Sequence, residues 1–287
     1  MGSCRRVWVV LAILAAGCGE APTAPTYPQA QLPPATPPIV NSISVSVTRT
    51  EVEQDVIVTA VVEDAETPLG QLSYIWTANA GTFTGTGASV TWRHAPGIQQ
   101  GRDVVITLTV VDVYQVIENF HIVTREYRVV RQAAPFRVHD SVAELKELAR
   151  KFLIDLFGDS RIPPESCLVD FSEVGRCADG KVQERSDIAF HRSVVEIQSA
   201  IILSQSVNIV NPASAVVTSE ARFNDRWLSP GPLQAEFSST HADFYLSAIY
   251  DQGRWWLCES TFGNVRGTSR YLDAIRARRG GGGPPVK

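Results

Sequence analysis

Apolar and polar residues alternate in short runs over residues 39–131. Ile43, Val45 and Val47 are separated by serines, and Val56, Val58, Ala60 and Val62 form a second run ending at Glu63-Asp64. Leu72, Tyr74 and Trp76 alternate with Ser73, Ile75 and Thr77; a bend with Gly81, Gly85 and Gly87 leads to Val90-Thr91-Trp92. Ile106, Leu108 and Val110 make another run, and Phe120 to Val130 the last. A period of two with turn residues between runs predicts strands, and short strands at this spacing predict an antiparallel β-sandwich. No cysteine lies in this region, so hydrophobic packing must hold it.

Residues 132–139 contain Pro135 and no clear period, which places a domain boundary there. Val142, Leu145, Leu148, Phe152 and Leu156 then recur at helical spacing and predict a helix over 141–157. Ser141-x-x-Glu144 reads as its capping box and Gly158 as its stop. A shorter polar helix is expected over 180–192, with Val182, Ile188 and Ala189 inward. The period returns to two with Val195, Ile197, Ile201 and Leu203 on one face, then Ala215, Val217, Ala221 and Phe223 on the next. Phe244, Leu246, Ala248 and Tyr250 alternate, and Asp251-Gln252-Gly253 turns into Arg254 to Glu259. One long helix, a short one and four antiparallel strands predict an α+β domain over 138–265.

The N-terminus carries a different pattern. Arg5 and Arg6 precede an apolar run from Val7 to Ala16, and Gly17 leads into Cys18. This is the plan of a secretory signal peptide, and the run falls short of the roughly 20 residues that span a bilayer. Leu14-Ala15-Ala16-Gly17-Cys18 also resembles the lipobox of bacterial lipoproteins, with Ala15 where that family usually has Leu. The resemblance implies cleavage after residue 17 and lipidation of Cys18; the alternative is an ordinary cleaved signal. Gly19 follows instead of Asp, which by the bacterial sorting rule implies the outer membrane. Residues 18–38 are rich in proline and nearly free of charge, so they read as an extended tether.

Two further resemblances concern the folded part. Tyr74-Ile75-Trp76 and Ile106-Thr107-Leu108-Thr109-Val110-Val111-Asp112 resemble PKD-like immunoglobulin-fold repeats over most of 39–131. Thr77-Ala78-Asn79-Ala80-Gly81 replaces that family's Asp-Phe-Gly-Asp-Gly. The likeness implies a spacer or adhesive module with Trp76 in the core. The order of elements over 138–265, with Tyr250-Asp251-Gln252-Gly253-Arg254-Trp255-Trp256-Leu257, resembles the nuclear transport factor two-like (SnoaL-like) cone. That likeness implies a long helix packed on a curved sheet around a pocket, used by some members for catalysis and by others for binding.

Composition narrows the function. A charged fraction of 20% and a hydrophobic fraction of 44% suit a globular chain, and a net charge of -4 gives nucleic acid no basic field to bind. Export would leave Cys167, Cys177 and Cys258 in an oxidising compartment. Cys167 and Cys177 close a short loop and are the expected bridge, with Cys258 an inert buried thiol. No Cys-x-x-Cys, His-Glu-x-x-His, phosphate loop or nucleophile elbow occurs, so no metal or cofactor is indicated. Asp187 and His191 read as a solvated helix pair and His241 and Asp243 as a surface pair. Phe223, Phe244, Tyr250, Trp255 and Trp256 read first as a packed core, and with Glu259 they are the candidate residues of a pocket as the alternative. Residues 266–287 read as a flexible tail. The expectation is a membrane-anchored envelope lipoprotein acting as a non-enzymatic binding module for a protein, glycan or small apolar ligand. The alternatives are an isomerase- or cyclase-type enzyme and a structural part of an envelope complex.

Overall fold

The structure is a computed structural model and describes residues 35–98, 100–119, 121–157, 163–228, 237–266 and 275–279. The signal sequence, Cys18, most of the proline-rich segment, Gly158 and residues 280–287 lie outside the described residues. The protein is mostly β, built from antiparallel sheets with few helices.

The first ten strands are β1 (Ile39–Val45), β2 (Arg49–Glu51), β3 (Val56–Glu63), β4 (Ser73–Ala78), β5 (Thr82–Thr84), β6 (Ser89–Arg93), β7 (Arg102–Val104), β8 (Ile106–Glu118), β9 (His121–Gln132) and β10 (Phe136–His139). They form one sheet in the order β1-β3-β6-β5, a second in the order β4-β8-β9, and a third, β2-β10-β7. Alternating Val56, Val58, Val90 and Ile106 meet in one core around Trp92, while Ala60, Val62, Leu108 and Val110 fill another. Trp76 is only partly buried and bridges both cores, its indole N–H donating to Gly87 O at 2.9 Å. Trp92 holds the centre instead, edge-on to Phe136 at 4.9 Å. Gly81 has φ +76°, and a Cβ there would lie 2.4 Å from the Trp92 ring, so only glycine lets the chain cross the indole.

The aperiodic boundary expected at 132–139 is instead largely strand. β10 pairs in parallel with β2 and antiparallel with β7, burying Phe136 and Val138. Two inward residues are too few to register as a period. The end of the tether is also packed: Pro38 is buried, Thr36 donates to the Glu66 carboxylate at 2.7 Å, and Ala35 O accepts the Tyr127 hydroxyl at 3.2 Å.

The chain continues through α1 (Ser141–Phe157), α2 (Pro164–Cys167), α3 (Arg176–Val194), β11 (Val195–Asn211), β12 (Ser214–Trp227), β13 (Phe237–Asp251) and β14 (Arg254–Arg266). The last four strands make one antiparallel sheet in sequence order. Leu145, Ala149, Phe152, Leu153 and Phe157 of α1 share a core with Val217, Phe223, Phe244, Leu246, Trp255 and Leu257. Val142, expected on this stripe, is exposed.

The face expected on β11 changes partway along the strand. Register shifts fall at Ile197/Ser199, Ile202/Ser204 and Ile209/Asn211. Each extra residue moves the following side chains to the other face. Ile197, Ala200, Ile202 and Val207 therefore pack on the core, and Ile201 and Leu203 face solvent.

The polar helix is longer than its apolar pattern predicts, and of the three residues expected inward only Ile188 is buried. Val182 is 60% exposed and Ala189 is exposed, whereas Glu184, Asp187, Ile188 and His191 are buried. The buried acids are matched by Arg279, whose guanidinium donates to Asp187 Oδ2 at 2.6 Å and Glu184 Oε1 at 3.1 Å. Glu184 Oε1 also accepts the Ser260 hydroxyl at 2.7 Å. Ile275, one turn earlier, is in the core. Residues 275–279 of the expected tail are thus docked.

The bridge differs from the expected one. Cys177 is bonded to Cys258, and Cys167 is a buried free thiol. Another register shift explains this: Leu257 pairs with Ala248 and Glu259 with Ser247, leaving Cys258 as the extra residue. Strict alternation would not bury both Leu257 and Cys258, but this bulge does. Helix α3 lies close above, since a Cβ on Gly180 would sit 2.2 Å from Cys258 O. Cys177, in the first turn of that helix, therefore reaches the bulge, while Cys167 faces Asp155 O and the Arg192 guanidinium.

Candidate binding crevice at Trp255

The six candidate pocket residues do not line one pocket. Phe223 and Phe244 are core: Phe157 stacks on Phe223 at 4.7 Å and meets Phe244 edge-on at 5.2 Å. Trp256 lies on the other face of β14, its N–H donating to Asp251 O at 3.0 Å and its ring under the Arg254 guanidinium. Glu259 is exposed. Tyr250 and Trp255 meet edge to face at 5.4 Å, where β13 and β14 reach β2 and β10.

A buried polar network joins the two regions there. His139, at the end of β10, contacts the Glu144 carboxylate through Nδ1 at 2.9 Å and the Tyr250 hydroxyl through Nε2 at 2.7 Å. A carboxylate only accepts, so Nδ1 carries a proton, and Nε2 faces the tyrosine hydroxyl. Gly101 permits this placement, because a Cβ there would overlap the imidazole at 2.1 Å. The Ser141 hydroxyl donates to Glu51 Oε1 at 2.8 Å and accepts the Trp255 indole N–H at 2.7 Å. Arg49 lies 3.4 Å above the Tyr250 ring centroid and donates to Pro212 O at 2.9 Å. Burial pushes the Tyr250 phenol above its ordinary value, against the charge of Arg49.

The expected capping box is therefore reassigned. Asp140 caps α1, its Oδ1 accepting from Ala143 N at 3.0 Å and its Oδ2 from Gly97 N at 2.8 Å. This frees Ser141 and Glu144 for contacts with Glu51, Trp255 and His139. The Ser-x-x-Glu spacing is visible in the sequence, but Ser141's partners, Glu51 and Trp255, come from distant segments.

Crevices open on either side of Trp255. One, of about 480 Å³, is lined by Val52, Val142, Ile209, Pro212 and Trp255, with Arg49, Glu51 and Asp140 among its polar lining residues. That is the size of small-molecule sites. The other, of about 690 Å³, is lined by charged residues including Glu144, Lys151, Asp170 and Arg254. Burial raises the Asp170 pKa, but hydrogen bonds from Arg254 at 2.6 Å and Lys151 at 3.1 Å outweigh it and hold the carboxyl below its ordinary value. Its charges are thus largely answered within the protein.

Two titratable groups deeper in the sheet region are strongly shifted. Asp225, 3% exposed, is pushed up to about 6 by burial. His191, edge-on to Phe157, is pushed down to about 4 by burial and by Arg192. The Asp187–His191 pair expected in solvent is buried, with Asp187 serving Arg279. At the His241–Asp243 pair, Asp243 accepts from Asn264 at 2.7 Å. Among the described residues, no cluster of three or more His, Cys, Asp or Glu side chains is placed to hold a metal. No known family model matches the chain, and no curated protein matches it.

Proposed function

We propose that the protein is a cell-envelope lipoprotein, anchored through Cys18 and acting as a binding module for a small apolar ligand. In this reading, an immunoglobulin-like sandwich and a nuclear transport factor two-like α+β domain, with its long helix on a curved sheet, meet at the Trp255 crevice. The outer membrane is the expected location. The observation that carries the binding role is the apolar crevice of about 480 Å³ walled by Val52, Val142, Ile209, Pro212 and Trp255. Separate hydrophobic clusters in the two regions support the two-domain division. The Cys177–Cys258 bridge supports export, since such bonds persist in oxidising compartments.

The test uses the full chain made with its own leader. Labelled fatty acid should be incorporated into the protein and be lost in Cys18→Ser; equal labelling of the variant would refute the anchor. Anilinonaphthalene sulfonate should fluoresce in the crevice, and Val142→Glu should remove most of that signal. A carboxylate suits the first turn of α1, so the fold is retained. Equal probe binding by Val142→Glu would refute the crevice as the site.

One observation favours the enzyme alternative, and that is Asp225. A general base needs a raised pKa near its working pH. Its folded value, about 6, exceeds the ordinary 3.8, so the fold holds a proton that the unfolded chain releases between them. This contribution to stability is present below pH 4 and is lost as pH rises to about 6. Asp225→Asn should flatten that loss and remove a carboxyl infrared band titrating near pH 6. A wild-type carboxyl band that titrates only near pH 4 would rule out Asp225 as the base.

A further inference from the structure

β8 and β9 outrun the sheet they belong to. β4 pairs with β8 only as far as Ser73↔Val111, whereas β8 and β9 stay paired out to Glu118↔His121. Residues 113–118 and 121–126 therefore form a two-stranded ribbon, about 20 Å long at 3.3 Å per residue. Its base is fixed by Thr67, which donates to Asp112 Oδ1 at 2.8 Å, and by Tyr114 stacked on Tyr127 at 4.5 Å. Two apolar cross-strand pairs lie near its far end, Val116↔Val123 on one face and Ile117↔Ile122 on the other. Ile117 is 51% exposed and Ile122 is 68% exposed. An isolated ribbon gains nothing by carrying isoleucine into water.

The course of the chain indicates what covers this ribbon. Ala35, the first described residue, is bonded through its carbonyl to Tyr127, at the ribbon's base. The segment leading back to Cys18 thus departs from the end of the molecule that bears the ribbon. Cys18 precedes Ala35 by 17 residues, a reach of at most about 60 Å. Glu118 and Glu126 outnumber Arg125, so the ribbon has no positive excess to attract anionic headgroups. Arg125 and Glu118 are moreover paired at 2.9 Å.

We infer that the β8–β9 ribbon is a second membrane contact, its Ile117–Ile122 pair resting in the bilayer interface beside the lipid anchor. The contact rests on the anchored reading above. It is apolar, so it is insensitive to salt and does not need anionic lipid. It also sets the attitude of the molecule, with the ribbon end toward the membrane and Asp55, at the opposite end of β3, away from it.

A thiol-reactive nitrobenzoxadiazole probe at Ile122→Cys reads this directly in the full lipidated chain. The bridge and the buried Cys167 leave the introduced thiol as the accessible one among the described residues. In phosphatidylcholine vesicles the probe should show a blue shift and a rise in emission, unchanged in high salt. The same probe at Asp55→Cys should show neither. Fatty-acid labelling of the same sample separates the two readings. A lipidated protein whose probe at 122 stays at its aqueous emission overturns the ribbon contact and leaves the anchor standing. Absence of fatty acid overturns both.

Discussion

Replacing both bridged cysteines, as Cys177→Ser with Cys258→Ser, will lower stability by about 4–5 kcal/mol. The bridge spans a sequence separation of 81, and closing a loop of that length reduces the entropy of the unfolded chain by this amount in the loop-entropy account. Native strain works against so large a value, but α3 is already held to β14 by the Gly180 approach and the Glu184–Ser260 hydrogen bonds. Urea unfolding with and without reductant checks the value: the variant should match the reduced wild type. Peptide mapping without reduction should recover Cys177 joined to Cys258, with Cys167 free. A Cys167–Cys177 peptide, or an unchanged urea midpoint, would refute the assignment.

Arg279→Ala will have an effect of similar size for a different reason. Glu184 and Asp187 are buried, and the guanidinium is the counter-charge that donates to both. Removing one partner of a buried ion pair costs about 3–5 kcal/mol, because the remaining charge stays out of water. The loss should also depend on pH. Burial pushes the Glu184 carboxyl above its ordinary value even with Arg279 present, and losing the cation pushes it further. Once acid protonates Glu184 there is less orphaned charge, so the gap between variant and wild type narrows as pH falls. Glu184→Gln in the Arg279→Ala background should recover part of the stability at pH 7. A deficit below about 1 kcal/mol, equal at pH 7 and pH 5, would mean that residue 279 is not docked.

The strands over 39–131, helix 141–157 and the final four-stranded sheet were legible because their side chains obey one period for several turns or residues. What escaped the sequence reading shares a different property. Bulges at Cys258 and along β11 shift the face by one residue, and no alternation pattern records where they fall. Helix α3 defies the apolar pattern because its inner face is ionic, and its acids are answered by Arg279, 92 residues from Asp187. The candidate site was legible only at Tyr250 and Trp255. Arg49, Glu51 and His139 belong to strands too short to carry a pattern, and apart from the His139–Glu144 contact the partners that set their roles lie 90 residues away or more.

The offsets along β11 have a consequence for crowding. Among the described residues this 17-residue strand is an edge of its sheet, and it carries no charged side chain from Ile197 to Asn211. A straight edge of that kind is a template on which a neighbouring chain could zip. Its three shifts divide the regular pairing into stretches no longer than six residues, 204–209 being the longest. A second copy arriving at the edge would lose register after a few hydrogen bonds. Where molecules are concentrated in two dimensions, that interruption keeps neighbours from polymerising edge to edge without placing a lysine on the strand.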